Sequence, residues 1–129
     1  MPAMRLDAVS VTTTNFALTA RFYALLGFVF PAFEPGAKHL EAIAAAGEVR
    51  LLIDDRQMMK NLTGKDPAPA THSCFAIKCE GPAQVDAAVA AVREAGFTVV
   101  KEPWDAFWGQ RYAVVADPDG YMSDLFAPL

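Results

Sequence analysis

The chain repeats its own pattern, and that repeat limits its possible folds more than any single motif does. A strand-like run, a helix-like run, a Gly-Phe pair, a second strand-like run and a hairpin pattern occur once before about residue 55. The same series starts again at about residue 71. Leu26-Gly27-Phe28 closes the first helical run, and Ala95-Gly96-Phe97 closes the second. Internal duplication is the simplest reading. Half of such a chain cannot cover both its helix and its sheet. Two halves side by side can, and their curved sheets then leave a cleft suited to a ligand.

In the first half, Leu6 to Thr13 is rich in Val and Thr and predicts a strand. Asn15 is placed to cap a helix carrying Phe16, Leu18, Phe22, Leu25 and Leu26, which Gly27 stops. Phe28 to Phe33 predicts a strand ended by Pro35-Gly36. Leu40 to Ala45 and Val49 to Asp54 predict a hairpin around Ala46-Gly47-Glu48, although the alanine run weakens its first strand. The polar stretch of about 56–70 holds Gly64, Pro67 and Pro69 and is the expected linker, with Met58-Met59 able to start a helical turn.

The second half covers about 71–129. Thr71 to Lys78 predicts a strand, and Pro82 stands near the start of a helix whose Val85, Ala88, Val89 and Val92 share one face. Phe97 to Val100 predicts a strand, Pro103 to Gly109 an aromatic loop, and Gln110 to Ala116 with Tyr121 to Phe126 a hairpin around Asp117-Pro118-Asp119-Gly120. In that turn the Asp and Gly residues supply the bend and Pro fixes it, so its carboxylates are assigned to structure rather than to catalysis. Phe16, Phe22, Leu26, Val85, Val89 and Val92 are assigned to the core.

Composition narrows the class of protein. The 129 residues are 53% hydrophobic and 20% charged, as expected of a folded globular chain. A net charge of −4 with no basic stripe gives no footprint for nucleic acid. No apolar run approaches the length of a membrane span, and Met1 to Arg5 does not open a signal peptide. Cys74 and Cys79 are five positions apart, on opposite faces of a regular strand, so reduced thiols and a cytoplasmic location are expected. Nine Phe and two Trp exceed what a small core needs, which points to an aromatic-lined cavity.

Four groups of residues, in order, are similar to the vicinal oxygen chelate superfamily of glyoxalases, bleomycin-resistance proteins and extradiol dioxygenases. They are Phe22-Tyr23-x-x-Leu26-Gly27-Phe28, then His72-x-x-Phe75, then Ala95-Gly96-Phe97, and finally Trp108-Gly109-x-Arg111 followed by Asp117-Pro118-Asp119-Gly120. The resemblance covers nearly the whole chain. It implies an α+β fold of two βαβββ modules forming a curved mixed sheet, one domain over 1–129 with modules at about 5–55 and 71–129. It also implies a homodimer in which cups are often completed between subunits.

Enzymes of that superfamily use four inward side chains to hold a divalent metal, whose open positions take the substrate's oxygens. Carried over position by position, these places fall on Ala8, near Arg50, on His72 and on Asp124. Only His72 and Asp124 can donate, and three protein ligands are usual for a catalytic metal. The resemblance therefore implies a binding protein without cofactor or metal, similar to bleomycin-resistance proteins and acting by sequestration of an antibiotic or toxin. The alternative is a lyase, isomerase or dioxygenase dependent on Mn, Fe, Ni, Zn or Co, with His72 and Asp124 among the ligands.

The expected partner is a small aromatic or partly anionic molecule. Its expected contacts are Phe33, Arg50, His72, Phe75, Trp104, Trp108, Arg111 and Asp124. Trp104, Phe107 and Trp108 would stack on a planar ligand, Arg50 or Arg111 would anchor an anion, and His72 is a weak candidate for a general base. Arg111 has a plainer reading as the partner of Asp105.

Overall fold

The computed structural model describes residues 5–69 and 75–129. The N-terminal half contains β1 (Ala8–Thr13), α1 (Phe16–Leu25), β2 (His39–Glu41) and β3 (Arg50–Asp55), and α2 (Arg56–Thr63) follows it. The C-terminal half contains β4 (Phe75–Lys78), α3 (Pro82–Glu94), β5 (Thr98–Ala106), β6 (Gln110–Ala116) and β7 (Met122–Pro128). The fold is α+β, with one three-stranded and one four-stranded mixed sheet.

Both sheets follow one plan. Sheet one runs β1-β3-β2, with β1 parallel to β3 and β2 antiparallel to it. Sheet two runs β4-β7-β6-β5, again with the first strand parallel to the last. The missing fourth position of sheet one belongs to the segment after Gly27. The Ile43 amide donates to the Val29 carbonyl at 2.7 Å, so the chain returns there in strand-like fashion. The expected strand over Phe28 to Phe33 does not form. Pro31 offers no N–H to a ladder and fixes its own φ, which accounts for the break.

Other expectations are met with shorter elements. The Asn15 side chain accepts from the Leu18 amide at 3.0 Å and starts α1. Gly27 ends it at φ +96°, a conformation that costs a residue with a Cβ. The first hairpin strand stops at Glu41, before the alanine run. Within the expected linker, Asp55 accepts from the Met58 amide and caps α2, which carries Met58 and Met59. The expected strand over Thr71 to Lys78 is seen from Phe75 onward. Its earlier part, with Cys74, lies outside the described residues.

The two halves share one core. Phe22, Tyr23, Val85, Val89 and Val92 of the helices are wholly or almost wholly buried against Val11, Leu51, Ile53, Ala113, Val115 and Leu125 of the sheets. Phe16 and Leu26 pack at its margin. Phe22 meets Phe97 edge to face at 5.2 Å, and Tyr23 stacks on Phe75 at 6.4 Å. Thus α1 of the first half packs on residues of the second.

Buried polar groups reinforce this joint. The Tyr23 hydroxyl donates to Asp117 Oδ2 at 2.7 Å, and Asp117 Oδ1 accepts from the amides of Asp119 and Tyr121 at 2.9 Å each. Burial pushes both groups above their ordinary pKa values, while the hydrogen bonds hold the Asp117 carboxyl back. The turn sequence is therefore structural, as expected, and it also anchors α1.

Candidate functional site

Each sheet turns one side to the helices and the other away, and the alternation of β-strands decides which residues go where. On β7, Ser123, Leu125 and Ala127 are buried on the helix side. Met122, Asp124 and Phe126 stand on the opposite side, half-buried. Cross-strand pairing extends that outer face. Asp124 pairs with Val114 of β6 and Ala76 of β4, Phe126 with Tyr112, and Tyr112 with Trp104 of β5.

An aromatic wall results. Trp108 meets Trp104 edge to face at 5.6 Å and Tyr112 at 5.2 Å, while exposed Phe107 lies 4.9 Å from Trp108. Lys101 places its ammonium 5.0 Å from the Trp104 ring centre. The indole N–H of Trp108 donates to Gln110 at 2.9 Å. The indole N–H of Trp104 is buried and has no hydrogen-bond partner among the described residues, a costly state. The Tyr112 hydroxyl donates to Asp124 Oδ1 at 2.9 Å at the edge of this wall.

The structure sorts the expected ligand contacts into different places. Trp104, Trp108 and Asp124 come together. Trp104 is not in a loop, as the sequence reading had it. It belongs to β5, which runs on past Pro103 with register shifts at Val99/Lys101 and Lys101/Trp104. Such irregularities let an edge strand carry a proline.

The other contacts fall elsewhere. Phe75 lies on the helix side, stacked on Tyr23. Arg111 also points to the helix side, where Asp86 of α3 accepts from it at 3.0 Å and Asp105 at 3.2 Å. Phe33 packs 6.3 Å from Phe16 at the start of α1. His72 lies outside the described residues. Sequence reading missed Tyr112, Gln110 and Lys101. Only the register linking β5, β6 and β7 to Asp124 could have signalled them.

Arg50 lies on the outer face of sheet one, opposite Ala8. It donates to Asp7 at 2.8 Å and to Glu41. Glu41 also meets His39 Nε2 at 2.7 Å, and His39 Nδ1 lies 2.5 Å from Asp54. A five-residue chain of alternating charge therefore crosses the sheet. Hydrogen bonds to Asp54 and then Glu41 raise the His39 pKa, and the bond to His39 holds Glu41 below its ordinary value.

The donor chemistry bears on a metal. The two metal-site places that the resemblance implies for the first half fall on Ala8 and near Arg50, whose guanidinium is already bound to two carboxylates. Among the described residues no three His, Cys, Asp or Glu side chains are grouped to hold a metal ion. Neither of those two positions thus offers a donor for a four-ligand centre, and the described residues do not fit one. No helix among them is long and apolar enough to cross a membrane.

Comparisons with known proteins agree with this architecture. A family model described as the Glyoxalase/Bleomycin resistance protein/Dioxygenase superfamily matches residues 5–125. Similar solved structures include a glyoxalase/bleomycin resistance protein/dioxygenase from Nocardioides, 22% identical with a TM-score of 0.73, over 100% of this chain and 86% of that one. A glyoxalase-related enzyme from Fulvimarina pelagi is 16% identical with a TM-score of 0.82, over 97% and 88%. A lactoylglutathione lyase from Agrobacterium tumefaciens is 17% identical with a TM-score of 0.69, over 98% and 96%. At these identities the likeness is one of fold. No curated protein sequence matches the chain.

Proposed function

The chain belongs to the glyoxalase/bleomycin resistance protein/dioxygenase superfamily, and from that premise we propose that it binds a planar small molecule without a metal. The ligand stacks against Trp104, Trp108 and Tyr112. The single observation that carries this reading is the aromatic wall, in which Trp108 meets Trp104 and Tyr112 edge to face. Half-buried Trp104 and Tyr112 with exposed Trp108 form an apolar patch that a flat ligand would cover.

The role is sequestration, in the manner the resemblance to bleomycin-resistance proteins implies, with an antibiotic or toxin as cargo. A homodimer fits this reading. Strands β1 and β4 are each an edge strand of their sheet, as β2 and β5 are at the opposite edges. An open edge invites pairing with another chain. Val29, Ile43, Val49, Phe107 and Trp108 are exposed apolar residues available to such a contact.

Both tryptophans belong to the wall, so intrinsic fluorescence reports binding directly. A library of planar aromatic compounds should contain quenchers that saturate, and Trp104→Ala and Trp108→Ala should each weaken them by at least about tenfold, the cost of a central aromatic contact. Saturable binding unchanged by both substitutions would place the ligand elsewhere. The second reading is a metal-dependent lyase, isomerase or dioxygenase, with Asp124, on the outer face of β7, as one expected ligand. Elemental analysis after loading with Mn, Fe, Ni, Zn or Co tests it. One metal per chain, lost on Asp124→Ala and on His72→Ala, would replace the sequestration reading with catalysis.

A further inference from the structure

We propose that His39 is a pH-sensitive clasp that, as an imidazolium, ties β2 to β3 and orders the outer face of sheet one. The geometry carries the argument. A carboxylate oxygen faces each ring nitrogen, Asp54 at 2.5 Å from Nδ1 and Glu41 at 2.7 Å from Nε2. A neutral imidazole has one N–H and one lone pair, so it can satisfy only one of these acceptors. The other contact would then set a lone pair against a carboxylate. Only the doubly protonated ring satisfies both.

The surroundings determine what its proton controls. His39 stands directly across from Asp54 of β3, whose neighbour on β1 is the uncharged Thr12. Glu41 is held in turn by Arg50 of β3, and Arg50 by Asp7 ahead of β1. Next to the cluster, Lys38 pairs with Asp55 at 3.8 Å. Losing the imidazolium leaves Asp7, Glu41 and Asp54 with Arg50 as their one cation in this chain of contacts. Strand β2 spans only His39–Glu41, flanked by hydrogen bonds from the Asp55 amide to the Lys38 carbonyl and from the Ala42 amide to the Leu51 carbonyl, so its backbone hold on β3 is short.

The direction of the pH effect follows. The folded-state pKa of His39 is raised above 6.5. The clasp is therefore complete below the unfolded value of 6.5, and it is lost as pH rises through the higher folded value.

The test uses the full chain, whose only histidines are His39 and His72. Long-range 1H–15N NMR should show both His39 nitrogens protonated at pH 6 and a titration above 6.5. Between pH 6 and 9 the wild type should lose about 2–4 °C more in Tm than His39→Gln, with faster amide exchange at residues 39–41. His72→Gln should keep the wild-type slope, which assigns the effect to the right ring. A neutral His39 at pH 6, a titration at or below 6.5, or an unchanged slope in His39→Gln would overturn the clasp. If His39→Gln fails to fold, the NMR titration of the wild type and of Glu41→Gln decides, since loss of one carboxylate must bring the His39 pKa down.

Discussion

On the side turned away from the helices, sheet one presents His39, Glu41, Arg50 and Asp54, whereas sheet two presents Trp104, Tyr112 and Asp124, with Trp108 of the β5–β6 turn against Trp104 and Tyr112. The two sheets share strand order, and their helix sides are much alike. Val11, Leu51 and Ile53 in one and Ala113, Val115 and Leu125 in the other are all buried. The duplication thus shows where apolar volume must fill a common core. It fades on the other side, where no packing partner within the described fold dictates the residue. Chemistry specific to this protein is found on that freer side.

If this contrast is right, damage to the shared helix side should lower stability without selecting one outer face. The largest effect is expected for Asp117→Ala, which strands the buried Tyr23 hydroxyl and two turn amides. A loss of about 2–4 kcal/mol follows from unsatisfied buried groups. Tryptophan fluorescence, which reports sheet two alone, should unfold at the same denaturant concentration as far-UV circular dichroism. Two separate transitions would mean that the halves do not share one cooperative core.

Gly120→Ala comes next. Gly120 has φ +94°, and a Cβ there would meet Pro69 at 3.3 Å. Denaturation should show a loss of about 1–2 kcal/mol, again with both probes moving together. A neutral result would mean that the turn relaxes freely.

Smaller effects sharpen the division between faces. Tyr112→Phe removes the hydroxyl that donates to Asp124. It should cost about 0.5–1.5 kcal/mol of stability or of ligand affinity, read by calorimetry. Arg111→Ala should leave ligand affinity unchanged, because its guanidinium is tied to Asp86 and Asp105 on the helix side. Loss of binding in that variant would move the ligand to the opposite surface.

Much of the fold was legible in the residues. The Gly27 and Gly96 helix stops, the Asn15 cap and the Asp117-to-Gly120 turn each act through local backbone chemistry, which adjacent residues reveal. The candidate site was legible only in part. Trp104 and Trp108 stood out by type, but Phe75 and Arg111 were aromatic and cationic candidates that strand parity sends to the helix side. His39 and Asp54 are fifteen positions apart in sequence, and only the pairing of β2 with β3 makes them neighbours.

The sequence by itself determined the repeat, the helix limits and the residues able to bury themselves, because propensity, capping and periodicity are short-range properties. Tertiary structure alone decided which side of each sheet a residue faces. A shift of one residue in strand register reverses every side chain, and register is set by partners far along the chain.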